Sequence, residues 1–112
     1  MDNYATETDL EKIISRYVEL LLDDVLITEI ILFGSYAKGR ADKDSDIDLA
    51  VISPDFGENV LRDLQLLSRK KIKVDPRIEA IAYHPNAIHK AEAGTFISEI
   101  IRTGKKVYPK KH

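Results

Sequence analysis

Between Phe33 and Ile52 the chain reads FGSYAKGRADKDSDIDLAVI. An apolar, β-branched run from Thr28 to Phe33 (TEIILF) stops at Gly34, which predicts a buried strand ending in a turn. After a polar loop, a second strand is predicted from Asp46 to Ile52 (DIDLAVI), stopped by Ser53-Pro54. Alternation along it places Asp46, Asp48 and Ala50 on one side, and Ile47, Leu49 and Val51 on the other.

The flanking sequence supplies helices for this sheet. Leu10, Ile13, Ile14, Tyr17, Val18 and Leu21 recur at helical spacing and predict a helix from about Asp9 to Leu22, with Asp9 as its cap. Asp23-Asp24 ends that helix with the wrong sign for its dipole. Val60, Leu61, Leu64 and Leu67 mark a helix from about Glu58 to Arg69. A third strand is predicted over Arg77 to Tyr83 (RIEAIAY), with Ile78 and Ala80 facing opposite to Arg77, Glu79 and Ile81. Phe96, Ile97, Ile100 and Ile101 form a last helix with Gly104 as its C′ residue, and a short strand follows over Lys105 to Tyr108. This order predicts an α/β (α+β) fold with one small sheet flanked by helices. Residues 1–112 are expected to form a single domain, since a chain of 112 residues has room for one core.

Composition excludes several function classes. There is no cysteine, so neither a disulfide framework nor a thiolate metal site is available. Met1 to Asp9 is acidic and lacks an apolar signal, and no apolar run approaches the roughly 20 residues of a membrane span. A cytoplasmic location with no membrane partner is the expectation. Net charge is −2, and the basic clusters Arg69 to Lys73 and Lys105 to His112 read as a solvated loop and a frayed tail. Only Tyr108 interleaves with those cations, so direct nucleic-acid binding is not expected. His84, His89 and His112 show no metal-ligand spacing.

Three chemistries compete for the segment around Gly34. Gly34 and Gly39 have the separation of a P-loop, but Arg40 and Ala41 stand where that loop needs Lys and a hydroxyl. Asp42, Asp44 and Asp46 alternate as in a calcium loop, yet Ile47 and Ser53 occupy the positions of its Gly and its bidentate Glu. The third reading is a magnesium site beside a phosphate-binding turn. Asp46 and Asp48 share a strand face with Cα atoms roughly 6.5–7 Å apart, a spacing at which both carboxylates converge on one or two hard cations. Gly34 lets the backbone approach a phosphate, Ser35 offers an N–H and a hydroxyl, and Lys38 and Arg40 offset the remaining charge. Tyr36 is expected to pack beneath the turn.

Gly34-Ser35, ten residues, Asp46, one residue and Asp48 form the pattern G-S-x10-D-x-D. In this the chain resembles the DNA polymerase β-like nucleotidyltransferase superfamily, and its size makes it similar to the minimal nucleotidyltransferases that act as antitoxins beside HEPN-domain ribonuclease toxins. The resemblance implies a nucleotidyltransferase fold and an ATP-dependent AMP transfer, with two Mg2+ ions, onto a tyrosine of a HEPN toxin partner. It also implies a third carboxylate on the next strand, for which Glu79 and Asp75 are the candidates. Glu79 is favoured because it stands inside an apolar run, where an acid is costly unless a cation meets it. Asp75 is the runner-up, at the strand's edge before Pro76. Two other functions compete: a non-catalytic antitoxin acting by contact, and transfer to a small molecule. Arg77 and His84 have the spacing of the HEPN ribonuclease motif, but that motif lies on helices and this segment reads as strand.

Overall fold

The computed structural model describes residues 7–110. The elements are α1 (Glu7–Leu22), β1 (Glu29–Phe33), α2 (Gly34–Ala37), β2 (Ile47–Ile52), α3 (Val60–Ile72), β3 (Ile78–Tyr83), α4 (Pro85–His89), α5 (Phe96–Thr103) and β4 (Lys105–Tyr108). The strands form one sheet in the order β3-β2-β1-β4. β1 pairs antiparallel with both β2 and β4, while β2 and β3 run parallel, joined by the α3 crossover. The α/β architecture with a single helix-flanked sheet is as the sequence predicts.

Strand alternation assigns each side chain to a face. Ile30, Leu32, Ile47, Leu49, Val51 and Ile78 join the core built with α1 and α3, where they meet Tyr17, Leu21, Leu66 and Leu67. Tyr17 is fully buried, and its hydroxyl donates to the Leu67 carbonyl at 2.9 Å, tying α1 to α3. Burial pushes this phenol well above its ordinary pKa. On the other face Ile100 of α5 covers Ile31, Ala50 and Ile52, with Phe33, Tyr83 and Ile88 at the margin. The register places Asp48 and Glu79 on this second face.

Several local expectations are corrected. α1 begins at Glu7, so Asp9 lies within its first turn, where its charge suits the dipole, rather than at its cap. The unfavourable Asp23-Asp24 end is offset by Lys70, 2.7 Å from Asp24, and that hydrogen bond holds the Asp24 carboxyl below its usual range. α3 runs on to Ile72, so Arg69, Lys70 and Lys71 lie in its last turn, where they complement the dipole, and not in a loop. Its facing differs too: Asp63, Leu66 and Leu67 are buried, whereas Val60, Leu61 and Leu64 are exposed. The buried Asp63 carboxylate is satisfied by the Gly57 N–H at 2.9 Å, which fixes the entry to the helix.

The C-terminal third departs in three places. α4 was not expected; Pro85 opens it, and Nδ1 of His84 accepts the Asn86 N–H at 3.0 Å as its cap. Gly104 ends α5 in extended backbone (φ −81, ψ 172) and not in the left-handed form of a C′ glycine. Its reason is close packing, since a Cβ there would meet the Ile100 carbonyl and Cγ2 of Ile31 at 2.5 Å. Lys105 to Tyr108 form β4, which agrees with the short strand expected there and not with the reading of the same segment as a frayed tail, while Lys111 and His112 lie outside the described residues. No helix among the described residues is long and apolar enough to cross a membrane.

Candidate active site

The turn after β1 explains the Gly-Ser pair. Gly34 adopts φ +70, a conformation that L side chains rarely take. A Cβ built on it would collide with the Asp48 carboxylate and lie 3.1 Å from its Cγ. Glycine is therefore required both for the backbone and for the approach of the turn to Asp48. α2 follows at once: the Lys38 N–H donates to the Gly34 carbonyl at 3.1 Å, and the Arg40 N–H to the Ser35 carbonyl at 2.9 Å. Ser35 is half-buried, Lys38 and Arg40 are exposed, and Tyr36 packs into the core beneath the turn.

The acids converge through strand register. β2 starts at Ile47, so Asp46 sits just ahead of the strand rather than within it, and is exposed. Asp48 is level with Phe33 on β1 and with Glu79 on β3, so Phe33, Asp48 and Glu79 form one row across the sheet. Burial raises the Asp48 pKa, and the neighbouring charges of Asp46 and Glu79 raise it further.

Glu79 and Asp75 separate on geometry. The burial argument for Glu79 does not hold, because β3 is an edge strand and the Glu79 side chain is 57% exposed. Its placement beside Asp48 comes from register instead. Its carboxylate lies 3.4 Å from Nζ of Lys71, which also donates to the Ile78 carbonyl at 2.8 Å. Asp75 already has its cation: it accepts from Nε and Nη2 of Arg77 at 3.0 and 2.8 Å and from the Arg77 N–H at 2.9 Å. These bonds hold the Asp75 carboxyl below its ordinary range.

Among the described residues, no three His, Asp or Glu side chains stand close enough to clasp a metal ion as they are. The donor set nonetheless suits a divalent cation. Asp46, Asp48 and Glu79 stand at one end of the sheet, and Asp48, raised in pKa by burial first and then by the charges of Asp46 and Glu79, is relieved by bound positive charge.

Two features of the site lay outside sequence reasoning. Lys71 belonged to a run read as solvated, and only the crossover from α3 to β3 brings it onto Glu79. Phe96, 59% exposed at the start of α5, meets Phe33 edge to face at 5.8 Å and 83°, adding an aromatic margin to the row that contains Asp48. Arg77 precedes β3 and His84 follows it, so neither lies on a helix face as the ribonuclease motif requires.

Known proteins are similar to this chain in sequence and in fold. The chain is 39% identical over 49 residues (43% of its length) to Protein adenylyltransferase MntA of Shewanella oneidensis. It is 29% identical over 101 residues to MJ0141 of Methanocaldococcus jannaschii, provisionally named a protein adenylyltransferase, covering 88% of this chain and 96% of that one. The match spans only 35% of MntA, and 51% and 56% of two further relatives from Methanocaldococcus jannaschii. A crystal structure described as a toxin-antitoxin with AMP-PNP superposes with a TM-score of 0.59 at 26% identity, covering 88% of this chain and 72% of that one. The model of the nucleotidyltransferase domain matches residues 10–107, a span that takes in the Gly-Ser turn, the acids and every strand up to β4, and the chain therefore belongs to the nucleotidyltransferase domain family.

Proposed function

We propose that this chain is a magnesium-dependent AMP-transferase that moves AMP from ATP onto a tyrosine of a HEPN-domain toxin, acting as its antitoxin. The observation that carries the reading is the contact between Gly34 and Asp48 within the row Phe33–Asp48–Glu79, which sets a phosphate-binding turn directly against paired acids. The names of the relatives support a protein acceptor, and the toxin-antitoxin neighbour with AMP-PNP supports both the nucleotide and the partner class.

Asp46, Asp48 and Glu79 would hold magnesium, which when bound offsets the charge that develops on the triphosphate and the acceptor oxygen. The chain's own residues do the remaining work. Gly34 and Ser35 receive the phosphates through backbone N–H and hydroxyl, and Lys38 and Arg40 supply charge from the exposed side of the turn. The acceptor oxygen bonds to the α-phosphorus as the bond from that phosphorus to the oxygen bridging the β-phosphate breaks. Pyrophosphate leaves, and the hydroxyl proton passes to the Glu79 carboxylate and on to solvent.

The test incubates the protein with α-labelled ATP, magnesium and a HEPN-domain protein from the same host, and maps the labelled residue. The expected result is label on a toxin tyrosine, abolished in Asp46→Asn/Asp48→Asn. That double variant should unfold at equal or higher urea, because it removes repulsion from a half-buried acid. Undiminished labelling by a folded double variant would refute the assignment.

A further inference from the structure

The two edges of the sheet are built differently. β4 is four residues long, carries the exposed Lys105 and Lys106, has a register shift against β1, and is followed by Pro109. Lysines, shortness and irregularity are how natural sheets keep an edge from pairing with other chains. β3, the opposite edge, is six residues long (IEAIAY), with no proline, no lysine and an unbroken register against β2 from Ile78 to Tyr83.

Backbone direction along β3 follows from its bonds to β2. The Arg77 carbonyl accepts from the Ile47 N–H at 2.8 Å and the Tyr83 carbonyl from the Ser53 N–H at 3.0 Å. Odd-numbered residues from 77 to 83 thus turn their backbone groups toward β2, and Ile78, Ala80 and Ala82 turn theirs outward. Nζ of Lys71 occupies the outward Ile78 carbonyl. Among the described residues no strand pairs with the outer side of β3, and Ala80 and Ala82 present N–H and C=O at that edge behind side chains too small to obstruct it. Such a ladder is complementary to one ligand chemistry, an extended polypeptide backbone.

The surroundings specify what that backbone carries. A strand added to β3 lies about 4.8 Å from it, and its residue opposite Glu79 projects on the face of Glu79 and Asp48. A tyrosine there reaches the acids. On the other face lies α3, where Val60, Leu64, Leu67 and Lys71 form one helical stripe. Lys71 at its end touches the Ile78 carbonyl, and Gly57, just ahead of α3, lies beside Cβ of His84, just beyond β3. The stripe therefore runs along the open edge, and its Val60 and Leu64 are 65% and 45% exposed. Alternate residues of an added strand meet them.

We infer that the protein acceptor docks by strand addition to β3: an extended segment pairs with Ala80 and Ala82, presents its tyrosine beside Glu79, and packs apolar neighbours on Val60 and Leu64. This rests on the proposed protein adenylyltransferase activity and names how its substrate is held.

The test uses a synthetic peptide, Thr-Val-Thr-Val-Tyr-Val-Thr-Val-Thr, the same peptide N-methylated at alternate residues in either phase, labelled ATP and magnesium. Proline at residue 82 removes only an outward N–H and leaves the ladder to β2 intact. A82P should raise the peptide KM about 5- to 10-fold, the effect of one lost ladder bond, with kcat and binding of a fluorescent ATP analogue unchanged. L64E should act in the same direction, and one phase of N-methylation should suppress labelling while the other does not. Labelling that ignores A82P and L64E, or both methylation phases, overturns strand docking and leaves AMP transfer standing. A protein that binds nucleotide but labels none of these peptides at millimolar concentration also overturns it. Loss of a dimer in A82P, read by analytical ultracentrifugation, assigns the edge to a second copy of this chain and overturns it as well. Failure to bind nucleotide at all would count against the enzyme reading instead.

Discussion

Replacing Gly34 by alanine tests how the turn and the acid are fitted together. Two costs arise, and they are separable. An L residue held at φ +70 costs about 1–2 kcal/mol relative to glycine. The new Cβ also overlaps the Asp48 carboxylate, and turning that side chain off its rotamer adds about 0.5–1.5 kcal/mol. G34A should therefore lose about 1.5–3.5 kcal/mol in urea unfolding. For a domain of 112 residues each kcal/mol corresponds to about 4 °C in Tm. In an Asp48→Ala background the colliding oxygen and Cγ are gone, and the remaining Cβ lies 3.4 Å away, an ordinary contact. The same glycine change should then cost only the backbone part, so the double-mutant cycle returns a coupling of about 1 kcal/mol. Equal cost of G34A in both backgrounds would refute the idea that close approach to Asp48 is one of the two reasons for glycine.

Other expectations follow from the same geometry. Glu79→Gln should cut AMP transfer by orders of magnitude, while Asp75→Asn should retain most of it; the opposite pattern in labelling assays would exchange their roles. Asp75 also predicts a pH effect. Its folded pKa is depressed by Arg77, so its stabilising contribution is present above the unfolded pKa of about 3.9 and is lost as pH falls through the folded value. Asp75→Asn should flatten that acid limb in urea titrations between pH 5 and 2, and an unchanged limb would contradict the pairing. Ser35→Ala should weaken use of ATP about 10- to 100-fold, the effect of one hydrogen bond to a charged group, read as kcat/KM. Tyr17→Phe should lose about 1 kcal/mol on removal of the buried bond to the Leu67 carbonyl, checked by the urea midpoint at constant m.

The sequence disclosed what depends on neighbours along the chain. The run TEIILF-GS and the alternation in DIDLAVI carry β1, the turn, β2 and the acids, because side-chain periodicity and the needs of glycine are local. What depends on strand order was hidden. Glu79 looks buried in RIEAIAY, yet β3 lies at the edge and its acid is exposed, a fact set by the order β3-β2-β1-β4. The phase of α3 was misjudged because apolar residues stand on both of its sides, and the buried Asp63 fits only because Gly57 donates to it. α4 had a local signal in His84-Pro85, a cap followed by proline, and could have been found.

The α3 crossover also bears on the order in which the site assembles. Gly34, Ser35 and Asp46 lie in the connection between the antiparallel neighbours β1 and β2, and Asp48 lies on β2; such short-range pairings close early in folding. Glu79 arrives with a parallel strand, which can dock only after the intervening helix has crossed the sheet. During synthesis the turn and the first two acids consequently emerge before their companion, and a nascent chain gains its complete acid set only once β3 has followed α3 onto the sheet.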